Sequence, residues 1–458
     1  MKREIDCKVW DTEYDVIVAG GGTTGCCAAV AAARQGAKVL IIEKLPFLGG
    51  NMSSGLPWLG FHDVESKELV VKGTPLEIIT RLQAEGSATE FVMDPIAGSA
   101  VGVNGTMLKM LLLDMACESR INVMLHSIVT GATVNNGTVK DLIVHNKEGC
   151  QVISGKVFID CTDSADVCVL SGAESVLGRL KDGRRQVSSY VMTFGGINFD
   201  RIFDYFEKHT DQIRPFRLDP KTRQELLTQM RSSPLCILGA FSEIIAKAKK
   251  DGIDYPRDQL VGIGYPLQGE LTLVSSRVSD VDLNDVLNHS RAEVEGFRQT
   301  RNIIKLLKNY IPGCEDARII SSGTQLGIRE SRHVVGDYVL TADDLLHPHP
   351  IPDGIARGAY HLDIHSPDHA GLETKRPQIY HIPLRCLLVR GFSNLLVAGR
   401  GISATHEALS STRITPISGA LGEAAGVAAA ISSLSEVPVR AIPVAKIQDI
   451  LVQTNCLI

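Results

Sequence analysis

The first apolar run is Tyr14-Asp15-Val16-Ile17-Val18-Ala19, short and closed by glycines. Such a run predicts a buried strand. A helix is predicted over 23–35 and closed by Gly36. Its small residues Gly25, Cys26, Ala28, Ala29 and Ala32 let it lie close against a sheet. Residues 37–43 repeat the buried-strand pattern, which completes a strand–helix–strand unit of about 30 residues, the building block of parallel sheets. Helical spacing returns over 108–118. Residues 122–128, 131–134, 139–144 and 152–160 read as short strands, parted by turn signals such as Asn135-Asn136-Gly137. They predict an antiparallel meander returning to the main sheet through Lys156-Val157-Phe158-Ile159-Asp160.

The texture changes between about 178 and 390. Strands at 188–194 and 270–275 mix there with polar helices at 200–208 and 284–310, and with a Pro/His-rich loop at 347–352. Asn394-Leu395-Leu396-Val397-Ala398-Gly399 is a further buried strand, and a helix is predicted over 416–434. At 458 residues the chain suits two domains or one threaded through another. The expected division is a nucleotide-binding domain from 1–60, 105–178 and 391–458, a cap over 179–390 with mixed sheet and helix, and a bridge at 61–104.

Composition narrows the classes. Apolar residues make up 44% and charged residues 22%, and the net charge of −5 gives no reason to expect nucleic acid or an anionic membrane. Residues 1–10 are charged and lack an apolar core, so no secretory signal is expected. The stretch 416–434 carries Glu423 and is rich in Gly, Ala and Ser, which predicts a buried helix and no membrane span. Eleven cysteines are scattered without C-x-x-C or any metal-ligand spacing. They are expected to be mostly buried thiols in a reducing, cytoplasmic compartment, with no metal site.

Chemistry concentrates in the first turn. Gly20-Gly21-Gly22-Thr23-Thr24-Gly25 fits G-x-G-x-x-G between a predicted strand and helix. Gly20 permits the turn, Gly22 lets the backbone approach a pyrophosphate, and Gly25 lets helix and strand pack closely. The helix N-terminus then offers free N–H groups to phosphate. Glu43, 23 residues after Gly20, stands where a carboxylate accepts ribose hydroxyls, which selects FAD or NAD over NADP. The second glycine turn, Leu48-Gly49-Gly50-Asn51-Met52, and Gly399-Arg400 after the last strand favour FAD. Gly262-Ile263-Gly264 lacks a third glycine and a following helix, so no second nicotinamide-binding domain is expected.

These residues resemble the FAD-dependent oxidoreductase family within the glutathione-reductase-like flavoproteins, which includes relatives of the flavoprotein subunit of heterodisulfide reductase. The later marks are Phe158-Ile159-Asp160-Cys161-Thr162-Asp163-Ser164-Ala165-Asp166, Leu326-Gly327-Ile328-Arg329-Glu330-Ser331-Arg332, Asp363-Ile364-His365, and the run from Leu396 to Ala408. The resemblance implies a Rossmann-like α/β FAD domain and binding roles for Gly20, Gly22, Gly25, Glu43, Gly50, Asn51, Gly399 and Arg400. Thr23, Thr24, Lys44, Gly49, Met52, Ile128, Val129, Cys161, Thr162 and Gly419 complete the candidate cofactor contacts. One departure stands out. Relatives usually carry Ala-Thr-Gly after the aspartate, and here Cys161-Thr162-Asp163 puts a side chain in place of the glycine.

Flavin chemistry needs a hydride partner and a proton partner held against the ring. His406 is the candidate proton donor or flavin neighbour. Arg329 and Arg413 are candidates for binding an anionic substrate or steadying the reduced flavin, and His361 and His365 are further polar candidates. His347 and His349 read as a surface loop. The expected function is hydride transfer between a small organic metabolite and non-covalent FAD. The alternatives are an electron-transfer subunit serving a redox partner protein, with a homo-oligomer also admitted, and a non-redox dinucleotide-binding biosynthetic protein.

Overall fold

In a computed structural model, residues 7–214, 218–371 and 373–458 are described. The first six residues of the charged N-terminal segment lie outside them. Strand β1 (Cys7–Val9) precedes the expected unit, which forms as β2 (Tyr14–Ala19), α1 (Thr23–Arg34) and β3 (Val39–Ile42). A small sheet of β4 (Trp58–Leu59), β5 (Val92–Asp94) and β6 (Gly98–Val101) surrounds α2 (Thr74–Ala84) in sequence, and α3 (Gly105–Glu118) follows. Next come β7 (Asn122–Met124), β8 (Ile128–Asn135), β9 (Thr138–Asn146) and β10 (Gly149–Asp160). The pattern over 122–134 divides differently from expectation, because the chain breaks at His126, whose φ is 53°.

Strand β10 belongs to two sheets at once. Its second half joins a parallel set in the order β7-β3-β2-β10 with the strand Leu395–Val397, and its first half pairs antiparallel with β9 in the meander. Alternation with period two explains the layering. Val16, Val18, Val39, Ile41, Val157 and Ile159 face one core with α1 and the helix Thr415–Ser435, whereas Ile17, Leu40, Ile42 and Phe158 face the meander. Each such side chain removed from water stabilises the fold by roughly 1.5–3 kcal/mol. Registers Asp160↔Ala19, Ala19↔Ile42 and Asp160↔Val397 leave four strand ends level, and the site opens there.

The helix Thr415–Ser435 lies against α1 with backbones touching. A Cβ on Gly422 would stand 2.2 Å from the Thr24 carbonyl oxygen, and one on Gly426 2.1 Å from that of Ala28. It is the one helix among the described residues long and apolar enough to cross a membrane, but 89% of its most apolar stretch is buried inside the fold. Its only charged residue, Glu423, is buried too, and accepts the Thr74 amide of α2 at 2.7 Å.

A separate antiparallel sheet takes the order Cys236–Ala240, Leu260–Tyr265, Glu270–Leu273, Met192–Gly195, Arg318–Ser322. With the helices Phe199–Lys208 and Val286–Tyr310 it encloses its own core of Phe194, Phe206, Phe241, Leu271 and Leu307. Gly262-Ile263-Gly264 lies inside one of those strands. Buried residues of this second core run from Tyr190 to Ile328. Those between Leu340 and Leu388, and Phe61 to Val103, pack instead into the first core. On that packing we propose an inserted unit nearer 190–328 than the expected 179–390, with 61–104 counted in the nucleotide-binding body.

Cysteine usage departs from expectation at one pair. Cys7 and Cys150 face each other in the β1–β10 register and are joined as a disulfide, while nine other cysteines are thiols. Six of those nine are buried, as small apolar residues.

Candidate active site

A cavity of about 240 Å³ opens at the level strand ends. Gly20 turns the chain at φ 96°, and a Cβ there would stand 2.4 Å from the Cys161 carbonyl oxygen. Gly22 is the N-cap of α1 and offers no side-chain cap, and nothing lies within 4 Å of where its Cβ would be. The first amides of α1 therefore have room for an anion beside them. The second glycine turn is fastened to the first, with the Gly49 amide donating to the Gly21 carbonyl at 2.8 Å. Glu43 secures the same corner: its carboxylate accepts the Gly21 amide at 2.6 Å and the Leu45 amide at 2.7 Å. Burial raises its pKa despite those bonds.

Gly20, Gly22, Thr23, Thr24, Glu43, Lys44, Gly49, Gly50, Asn51, Met52, Ile128, Val129, Cys161, Thr162, Gly399 and Arg400 all line this cavity. Gly25 and Gly419 do not. A Cβ on Gly25 would fall 1.9 Å from the Gly20 carbonyl oxygen, so its part is packing beneath the turn. Gly419 packs against Pro75 and Cys27, and Thr415 and Ser418 of its helix reach the cavity instead. Asp163, Asp166 and Gln325 also line it. The buried atoms Thr23 Oγ1, Asn51 Oδ1 and Arg400 Nε have no hydrogen-bond partner in the protein. Uncapped amides, open space over Gly22, a ribose-competent carboxylate and orphaned polar atoms together fit a dinucleotide.

A second cavity, of about 310 Å³, lies between the first body and the antiparallel sheet, and shares Asn51, Met52, Arg400, Arg413 and Thr415 with the first. Four of the sequence candidates, Arg329, Arg413, His361 and His365, line it. Arg329 Nη1 donates to the Val187 carbonyl at 2.7 Å and Ser189 Oγ at 2.8 Å. Burial, with Arg413 and Arg257 nearby, pushes its pKa well down. Arg413 Nη2 donates to the Asp363 carbonyl at 3.0 Å and stands 3.3 Å from its carboxylate. His365 Nε2 lies 3.0 Å from the same carboxylate, and burial, then Arg329, drives the imidazole pKa far below its usual value. Asp94 and Arg214, buried and 2.5 Å apart, also line it. They stand 120 residues apart in the chain and carry no local motif, so no sequence signal marks them.

The remaining candidate, His406, lies elsewhere. It begins the helix His406–Thr412 and lines neither cavity; its Nδ1 lies 2.7 Å from the carboxylate of buried Glu330. Glu330 also meets His333 Nε2 at 2.9 Å and accepts the Gln186 amide at 2.8 Å. Burial alone would raise the Glu330 carboxyl, yet the bonds to His333 and His406 bring it down to about 2. This cluster holds the Gln186 backbone, next to Val187, whose carbonyl receives Arg329. His347 and His349 are exposed.

The sequence model of a family described as FAD dependent oxidoreductase matches residues 15–451. Among solved structures, a geranylgeranyl bacteriochlorophyll reductase-like protein from Thermoplasma acidophilum is similar at 15% identity and a TM-score of 0.45, over 96% of this chain and 83% of that one. The p-nitrophenol 4-monooxygenase of Pseudomonas putida is similar at 10% identity and a TM-score of 0.43, over 96% and 83%. L-proline dehydrogenase from P. horikoshii is similar at 11% identity and a TM-score of 0.42, over 94% and 95%. No curated protein matches the chain.

Proposed function

The chain belongs to the FAD dependent oxidoreductase family and FAD is its cofactor, and from that premise we propose that it transfers hydride between non-covalently held FAD and a small organic metabolite. The observation that carries this reading is the junction of the two cavities at Asn51, Met52, Arg400, Arg413 and Thr415. A ligand in the second cavity would lie against whatever fills the first. When bound, FAD supplies the hydride acceptor or donor. The chain's own residues do the remainder. The α1 amides and Glu43 would hold the dinucleotide's anionic and ribose parts, Arg400 and Arg413 stand where the cavities meet, and the antiparallel sheet walls one side of the second chamber.

We place the protein, within its family, beside the glutathione-reductase-like flavoproteins on the Gly20–Gly25 turn and the Gly399-Arg400 return. A flavoprotein that only passed electrons to a protein partner would have no use for an arginine-bearing, largely apolar chamber beside its cofactor. A cytoplasmic address stays our reading for the nine thiols, with the Cys7–Cys150 pair standing against it. The test is a visible spectrum of the purified protein, repeated on the supernatant after denaturation. Released FAD supports the reading; a colourless protein that takes up no added FAD sinks it. Anaerobic bleaching by a panel of metabolites then identifies the reductant.

A further inference from the structure

We propose that the ligand of the second cavity is an organic carboxylate with an apolar body, its carboxylate seated on Arg329 and Arg413. This deepens the function proposed above and rests on it for the cofactor, but not for the binding chemistry. Charge in the chamber is lopsided. Arg214 and Asp94 neutralise each other. What remains facing the space is Arg329, Arg400 and Arg413 against the single carboxylate of Asp363, itself shared among Arg413, His361 and His365.

Arg329 makes no ion pair among the described residues. Its recorded bonds use Nη1 alone and go to a carbonyl and a hydroxyl, both neutral. Its Nε and Nη2 are left for a ligand, and those two nitrogens form the fork that grips a carboxylate bidentately. Arg413 Nε is buried without a partner. Arg329 is half-buried and has no counter-ion among the described residues, and Arg413 shares its single carboxylate with two histidines, so the positive surplus around this space suits an anionic ligand. The same cavity is lined by Leu59, Ile237, Val261, Ile263, Val274 and Ile328, apolar surface suited to a hydrocarbon or aromatic body. Inorganic anions match the arginines and ignore that surface.

The experiment compares matched pairs on the purified FAD-loaded protein: benzoate with benzamide, 3-phenylpropanoate with 3-phenylpropanamide, and sulfate as the bare anion. Binding is read by calorimetry and by perturbation of the flavin spectrum. The carboxylates should bind at least about 30-fold tighter than their amides, and tighter than sulfate. Arg329→Met should weaken the carboxylates by about 10- to 100-fold, the range for a lost charge-assisted pair, with FAD content unchanged and Arg329→Lys partly restoring binding. Equal binding of acid and amide, binding of sulfate as tight as that of the aryl acids, or no binding of any acid would overturn the proposal. The wild-type comparison decides even where a variant fails to fold. If the protein holds no FAD, the proposed function fails, and calorimetry on that same protein still tests carboxylate preference.

Discussion

Lys44 Nζ lies 2.8 Å from Asp163 Oδ2, joining the loop after β3 to the loop after β10 along one wall of the cofactor cavity. Burial would raise the Asp163 carboxyl, but Lys44 and Arg400 outweigh it and hold it below the usual range. The residue that replaces the familiar glycine is therefore an anion beside a cavity that must accept a pyrophosphate. Asp163→Gly removes that charge and frees Lys44 for the cofactor. We expect the Kd of the apoprotein for FAD to fall about three- to tenfold, by fluorescence titration. A weaker Kd would show that Asp163 orders the loop more than it repels the cofactor.

A neighbour titrates in the working range. Burial, together with Asp163 and Asp160, raises Asp166 to about 6, against the opposing pull of Arg332 and Lys44. Asp166 also lines the cofactor cavity. It is ionised above about pH 6 and neutral below, so lowering the pH removes one negative charge from the site. FAD affinity should rise severalfold between pH 7.5 and 5.5. Asp166→Asn should bind as tightly at pH 7.5 as the wild type does at 5.5 and flatten the profile; an unchanged slope in the variant assigns the effect elsewhere.

Glu330 makes the opposite pH prediction. Its folded pKa of about 2 lies below the ordinary 4.5, so its contribution is fully present above about pH 4.5 and is lost as pH falls through 2. Glu330→Gln should cost about 3 kcal/mol at pH 7, in line with breaking a buried pair, and should show less acid destabilisation between pH 4.5 and 2.5. Urea midpoints at the two pH values measure both. Because Glu330 orients the residues around Arg329, the variant should also weaken binding in the second cavity while it retains FAD.

How far these sites were legible follows chain distance. The unit from β2 to β3, the glycine turns and Gly399-Arg400 were readable because their periodicity and turn chemistry are local, and Gly20, Gly22 and Glu43 do stand around one cavity. The second cavity was half readable. Arg329, Arg413 and His361 were named, but the Asp94–Arg214 pair and the apolar wall arise from segments more than 100 residues apart. His406 stands outside both cavities, and its position after the last strand says which element it starts, not which way its ring turns. The limits we propose for the inserted unit carry no local mark for a similar reason. Residues 340–388 change texture along the chain yet fill the first core, which no local pattern records.

Gly422 ties the packing of the fold to the cofactor site. It lies on the helix Thr415–Ser435, and a Cβ there would stand 2.2 Å from the Thr24 carbonyl oxygen and 3.1 Å from Thr24 Cγ2. Thr24 lines the cofactor cavity in the first turn of α1. The first of these contacts is with backbone, so no rotamer change relieves it, and Gly422→Ala must push the two helices apart. Overpacking of this kind costs about 1–3 kcal/mol. Since the displaced atom belongs to the glycine turn, FAD binding should weaken along with stability. Gly36→Ala is a poor control, because its φ of 90° brings strain of another kind. Ala430→Gly serves better: it thins the same helix away from the turn and costs about 1–2 kcal/mol through helix propensity and the loss of one buried methyl. The expected result is a lower Tm for both variants and a raised Kd for FAD in Gly422→Ala only. Equal Kd values would mean that the helix moves as a rigid body without disturbing Thr24.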